Sequence, residues 1–254
     1  MRLEDITVVV RPRGVAELFD LALLLIRRHP VRLLLAFAIG VAPCAGLTAW
    51  MLAGVAREGL HHWLLMLSVY ALSGVMTAVL TAFLGLAMFA HRPTVRQALG
   101  MAWRSLPVLL LLVPWRLLCA VAVVILPWSL PHLCEVAVLE RLGLGRAWSR
   151  AAAMQRVSMP RSFALVCADA IGLLLVGFAV QGLFDMGNLL RFGSHGWSDD
   201  TGYGMFALHV TLWCAAGFLG VVRFCAYIDL RIRHEGWDVE LDLRRAGARL
   251  GSDA

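Results

Sequence analysis

An all-α, polytopic transmembrane bundle is the fold class this sequence predicts, with six spans arranged as three helical hairpins. Three observations carry that expectation. Apolar residues make up 60% of the chain and charged residues 16%, against roughly 45–50% and roughly 25% in soluble domains. The apolar residues gather in runs at 31–55, 63–90, 106–126, 128–140, 162–184 and 205–228. Between the runs lie short connections that alternate between rich and poor in arginine. A hydrocarbon core about 30 Å thick takes about 20 helical residues to cross. Four of the six runs meet that length easily, and the middle pair needs argument. With 254 residues and no spacer, residues 1–254 read as one membrane domain. Residues 1–30 form a cytoplasmic start, 31–228 the spans and 229–254 a cytoplasmic tail.

Charge sets the topology, because short cytoplasmic loops collect Lys and Arg. All 23 basic residues are Arg. The first 32 residues carry Arg2, Arg11, Arg13, Arg27, Arg28 and Arg32. The connection at 91–105 carries Arg92, Arg96 and Arg104, and that at 141–161 carries Arg141, Arg146, Arg150, Arg156 and Arg161. The tail adds Arg231, Arg233, Arg244, Arg245 and Arg249. Facing them, 56–62 has only Arg57 and 185–204 only Arg191. Nineteen arginines against two place both ends in the cytoplasm, so the crossings must be even in number. That requirement decides 106–140. One crossing there would strand five arginines on the wrong face; two crossings, joined near Pro127-Trp128-Ser129-Leu130-Pro131, satisfy the rule, since paired prolines break a helix. The returning leg is short, and a re-entrant hairpin is the alternative.

A cytoplasmic amphipathic segment is expected before each outward span. Val15–Arg28 puts Val15, Leu18, Phe19, Ala22, Leu25 and Ile26 on one helical face, away from Glu17, Asp20 and Arg28. Thr94–Arg104 follows Pro93, which suits a helix start. Leu144–Arg156 sets Leu144, Trp148 and Ala151 against Arg146, Arg150 and Arg156. These helices should lie among the headgroups, with Arg27, Arg28, Arg96, Arg104, Arg146 and Arg150 on the phosphates of anionic phospholipid. No cleavable leader is expected, since the start is acidic and Glu17 and Asp20 interrupt the first apolar stretch. The bilayer accounts for the arginines, so nucleic acid is not an expected partner.

Three segments resemble a known family. The opening Arg11-Pro12-Arg13-Gly14-Val15-Ala16-Glu17-Leu18-Phe19-Asp20, followed by Arg27-Arg28-His29, is one. The second is Leu126-Pro127 with Glu135-Val136-Ala137-Val138-Leu139-Glu140-Arg141 and Ala147-Trp148-Ser149-Arg150. The third is Tyr227-Ile228-Asp229-Leu230-Arg231-Ile232-Arg233 with Glu235-Gly236-Trp237-Asp238-Val239-Glu240. Together they resemble the bacterial six-span proteins named glycerophosphodiester phosphodiesterase membrane-domain proteins. In fused members the hydrolytic chemistry belongs to a separate soluble barrel, which these 254 residues are not expected to supply. Stand-alone relatives are inner-membrane proteins, some encoded near AAA-type ATPases and other membrane proteins, so the resemblance implies an accessory or assembly role. Pro127-Trp128 replaces the family's usual Pro-Gly pair after the third span.

Ionisable residues inside spans are costly and need partners. Arg116, Glu135 and Asp169 form the expected intramembrane polar site, with Arg116 paired to Asp169 or Glu135. Arg223, near the inner end of the last span, is expected to snorkel to the interface. Cys44, Cys119, Cys134, Cys167, Cys214 and Cys225 show no paired spacing and read as small buried hydrophobes. His61-His62, His132 and His209 make no metal set, and neither a metal nor another cofactor is expected. Gly172, Gly177 and Gly182, with Gly217 and Gly220, suit close helix packing in lipid. After the last span, either the helix continues through Arg233 and breaks at Gly236, or residues 237–243 pair as a strand with Ile6–Val10. Asp229, Arg231, Arg233, Glu235 and Trp237 are the expected surface for a membrane or cytoplasmic protein partner. No catalytic constellation is present, so the expected function is that of a non-enzymatic scaffold or accessory component. A small transporter or lipid-handling protein built on the polar site is the alternative.

Overall fold

The computed structural model describes residues 14–52, 58–89, 93–121, 130–192 and 202–235, and every element among them is a helix. In order these are α1 (Val15–Arg28), α2 (Pro30–Leu52), α3 (Glu58–Met76), α4 (Ala78–Phe89), α5 (Val95–Val121), α6 (Leu133–Leu139), α7 (Leu144–Val157), α8 (Met159–Phe192) and α9 (Gly202–Glu235). Five stretches are long and apolar enough to cross a membrane: Pro30–Met51, His62–Met88, Val95–Val121, Ser162–Leu183 and Phe206–Ile232. The idea of paired terminal strands falls on residues outside those described.

Two of the five stretches are central. His62–Met88 and Phe206–Ile232 are mostly buried by protein, whereas α2, α5 and α8 surround them and turn apolar side chains outward. Trp50, Trp103, Leu183 and Phe206 are each more than two-thirds exposed. So large an apolar surface is the signature of a chain solvated by lipid. Trp50 and Trp63, at neighbouring ends of α2 and α3, suit the interfacial zone where aromatic rings collect.

Local chemistry explains the elements. Pro30 opens α2, where its missing N–H costs nothing. α1 has the predicted bounds and buries Leu18, Ala22 and Leu25, with the Phe19 ring 6.0 Å from that of Phe218 and tilted against it. α3 and α4 are one rod broken at Thr77, whose Oγ1 donates to the Ser73 carbonyl at 2.7 Å. Such back-bonding bends helices. At the same level Gly40 lets the α2 backbone reach the Met76 carbonyl, where any Cβ would collide.

The second amphipathic segment is not a separate helix. Thr94 and Gln97 cap α5 reciprocally at 3.4 Å each, and the helix then runs unbroken through Pro107 and Pro114 to Val121. One buried stripe explains the continuity: Ala98, Ala102, Ser105, Leu109, Leu112, Arg116 and Cys119 recur at alternating steps of four and three. The fourth expected span, 128–140, is described from residue 130 onward. Its described part holds only the seven-residue α6, about 10 Å long and a third of a hydrocarbon core. Residues 133–138 are all buried, so α6 is wrapped by protein rather than lipid. Gly74 meets Cys134 and Gly85 meets Leu139, which runs α6 alongside α3–α4 in the same direction. Left-handed backbone at Leu130 and Arg141 (φ 47° and 52°) brackets this segment.

α7 covers the third amphipathic segment, rotated from expectation. Ala147, Ala151 and Met154 are buried, while Leu144 is exposed. Trp148 lies edge-on to Trp115, with ring centroids 5.0 Å apart.

Candidate functional site

Four buried charged residues meet where α3, α5, α6, α8 and α9 converge. Arg116 enters from the buried stripe of α5, Glu135 from α6, Asp169 from α8 and Arg223 from α9. Two guanidiniums and two carboxylates balance in charge, which lowers the cost of holding them in a medium without water.

Arg223 is the hub. Its Nη1 donates to Asp169 Oδ2, and its Nε lies 3.5 Å from Glu135 Oε1. Arg223 is 4% exposed and Glu135 1% exposed. The contact to Glu135 is close enough for ion pairing but lacks hydrogen-bond alignment. Both Glu135 oxygens and Arg223 Nη2 have no hydrogen-bonding partner among the described residues. Gly220, one turn before Arg223, presses on Thr77 and holds α9 against the α3–α4 break.

Arg116 makes a different set of contacts. Its Nη2 donates to the Tyr70 carbonyl at 3.0 Å and to Ser73 Oγ at 2.8 Å. Nε donates to the same carbonyl at 3.3 Å, and Nη1 to Cys134 Sγ at 4.0 Å. The guanidinium also sits over the Tyr70 ring, 4.7 Å from its centroid, a favourable place for a cation. Gly74 creates the room: a Cβ there would strike Cys134 Sγ and come within 3.9 Å of Arg116 Cδ.

The expected pairing is therefore corrected. Glu135 and Asp169 do meet on one arginine, but it is Arg223; Arg116 serves neutral groups next door. Because Cys134 and Glu135 are adjacent, the two arginines grip α6 through consecutive residues. Arg223 is no snorkelling residue, since α9 continues to Glu235 and buries it about 18 Å from the helix end. Unbroken burial of residues 219–230 is the signal that a reading of span ends misses.

A second cluster closes the end where α4, α6 and α9 finish. Tyr227 Oη donates to Glu140 Oε1 at 2.8 Å, and Arg150 Nε lies 3.3 Å from Glu140 Oε2. Arg231 Nη1 donates to Tyr227 Oη at 3.5 Å. Arg150, expected among lipid phosphates, thus turns onto Glu140. Arg27, Arg28, Arg96, Arg104 and Arg146 remain exposed. Asp229 is 2% exposed and cannot form part of a partner surface; Arg231 is half-buried against Tyr227. Arg233 and Glu235 lie on the last turn of α9, and Trp237 lies outside the described residues.

Other expectations fall as follows. His209 Nε2 and Thr48 Oγ1 are 2.9 Å apart, tying α9 to α2. Gly217 receives Phe37, Gly177 receives Met66 and a Cβ at Gly172 would lie 3.6 Å from Leu219, while Gly182 has open space. Four cysteines are buried, Cys167 is intermediate and Cys214 exposed. Among the described residues no group of three His, Cys, Asp or Glu is placed to hold a metal ion. No family model, no curated protein and no solved structure matches the chain.

Proposed function

We propose that the chain is a non-enzymatic, multi-pass protein of the bacterial inner membrane, acting as a scaffold or accessory component of a membrane complex. Both ends lie in the cytoplasm, and the chain passes the bilayer six times, the fourth time at 128–140, where the short α6 is enclosed by protein. One observation carries the reading: the buried charges close on one another and on neutral groups of their own bundle. They act as ties between helices rather than as groups held ready for a substrate. The apolar outer faces of α2, α5 and α8 and the cytoplasmic end of α9 are then the surfaces open to lipid and to protein partners. Membership of the glycerophosphodiester phosphodiesterase membrane-domain family belongs to the same proposal and rests on the three resembling segments alone.

One observation favours a transporter or lipid-handling role instead. Neither oxygen of Glu135 receives a hydrogen bond from the described residues, and an under-satisfied intramembrane carboxylate is a frequent place for a proton or ion. Proteoliposomes containing a pH-sensitive dye separate the two. The scaffold reading expects no proton or ion flux attributable to the chain, together with a partner cross-linked at fixed stoichiometry in native membranes. Flux abolished by Glu135→Gln in a folded variant would replace scaffold with transporter.

A further inference from the structure

An apolar groove of about 370 Å³ lies on the outer face of the bundle between the start of α2 and the middle of α9. Ile26 and Pro30 close one end, Leu33, Leu34 and Phe37 form one wall, and Cys214, Gly217, Phe218 and Val221 form the other. The shape follows from the sequence. Cys214 is short and Gly217 has no side chain, so the face of α9 is thinned where Phe37 leans onto it. Leu34 is 65% exposed and Cys214 is exposed, so the groove opens to the bilayer. Its charge is one-sided. Arg27 and Arg28 follow Ile26, Arg32 precedes Leu33, and all three are exposed. His29, set between them, has its pKa lowered by burial first and then by Arg28 and Arg32.

We propose that this groove holds one acyl chain of an anionic phospholipid whose phosphate is bound by Arg27, Arg28 and Arg32. The proposal rests on reading the chain as a membrane bundle and goes beyond the scaffold role. A lipid fits better than a partner helix. The wall on α9 extends only from 214 to 221, about 10 Å, too short a stripe for helix pairing, and an apolar slot with cations at one end matches an amphiphile. Moving an acyl chain from bilayer to groove gains nothing from the hydrophobic effect, because lipid is equally apolar. Preference must therefore come from the headgroup. Each arginine near an anionic lipid contributes about fivefold in affinity, and three together about a hundredfold.

The test reconstitutes the full chain in phosphatidylcholine vesicles doped with phosphatidylglycerol carrying a photoreactive acyl chain, and maps the cross-links by mass spectrometry. Labelling should concentrate on residues 30–37 and 214–221. It should be displaced by unlabelled phosphatidylglycerol but not by phosphatidylcholine, and blocked by Leu34→Trp, which fills the groove. Combined Arg27→Gln, Arg28→Gln and Arg32→Gln should reduce it about a hundredfold, while Arg96→Gln with Arg104→Gln leaves it unchanged. Equal labelling of the outer faces of α5 and α8, equal displacement by phosphatidylcholine, or an equal loss on removing Arg96 and Arg104 would overturn the site. A chain extracted from the vesicles by alkaline carbonate would instead contradict the membrane reading beneath it.

Discussion

Replacing Arg223 by Met should be among the most damaging single changes in the protein, and the structure gives its size. The substitution keeps the length of the side chain but leaves Glu135 and Asp169 buried without their cation. Removing one partner of a buried ion pair costs about 3–5 kcal/mol, a large share of the roughly 5–15 kcal/mol that holds a typical domain folded. For a chain of this length that corresponds to a fall of about 6–20 °C in Tm. The assay is thermal unfolding of the purified protein in detergent, followed by tryptophan fluorescence. Removing all three charges together, as Arg223→Met, Glu135→Met and Asp169→Leu, should recover most of the loss, because no carboxylate is left stranded. Exchanging Arg223 and Asp169 should likewise recover more stability than exchanging Arg116 and Asp169. The reasoning fails if Arg223→Met melts within a degree or two of wild type. It also fails if the triple variant is no better than the single one.

Three further outcomes follow from the same geometry. Gly74→Leu should cost about 1–3 kcal/mol by overpacking against Cys134 and displacing Arg116, whereas Gly182→Ala, with open space around it, should leave Tm unchanged or slightly raised. Tyr227→Phe removes a hydrogen bond to the Glu140 carboxylate and should cost about 1.5–3 kcal/mol. In a double-mutant cycle with Glu140→Gln the losses should be less than additive. His29 binds its proton less readily in the folded chain than its ordinary 6.5, so the unfolded chain takes up more protons as the solution is acidified. Stability should therefore be full above about pH 6.5 and decline as pH falls below it, and His29→Gln should flatten that part of a Tm-against-pH curve.

How much of this was legible depends on what each element must bury. α1 could be read to the residue, because a single apolar face ends at Arg27-Arg28 before Pro30. The sequence divides α5 into two pieces, because Arg104-Ser105-Leu106 resembles the entry to a span. The buried stripe passes through them without losing phase, and neighbouring helices compensate for a proline inside a membrane helix. That stripe also places Arg116 inward, which spacing alone allows one to find. Glu135 and Asp169 stood out as charges in apolar surroundings, but their partner did not. The continuation of α9 through Arg233 is readable in the sequence, but choosing Arg223 over Arg116 requires knowing that α9 is central, a property of the assembled bundle. The shortness of α6 was visible as a weak return leg. Its complete burial was not, since a run such as Leu133–Leu139 looks the same facing lipid or protein.

The path of the chain through the bilayer between α5 and α7 decides the topology, and dual-reporter fusions test it directly. A fluorescent protein matures only in the cytoplasm, and alkaline phosphatase is active only outside. Fusions after Leu142 and after Glu235 should fluoresce without phosphatase activity, while fusions within 53–57 and 193–201 should show the reverse. Phosphatase activity after Leu142 would mean that α6 does not return the chain to the arginine-rich side, and the arrangement built around Arg223 would have to be abandoned.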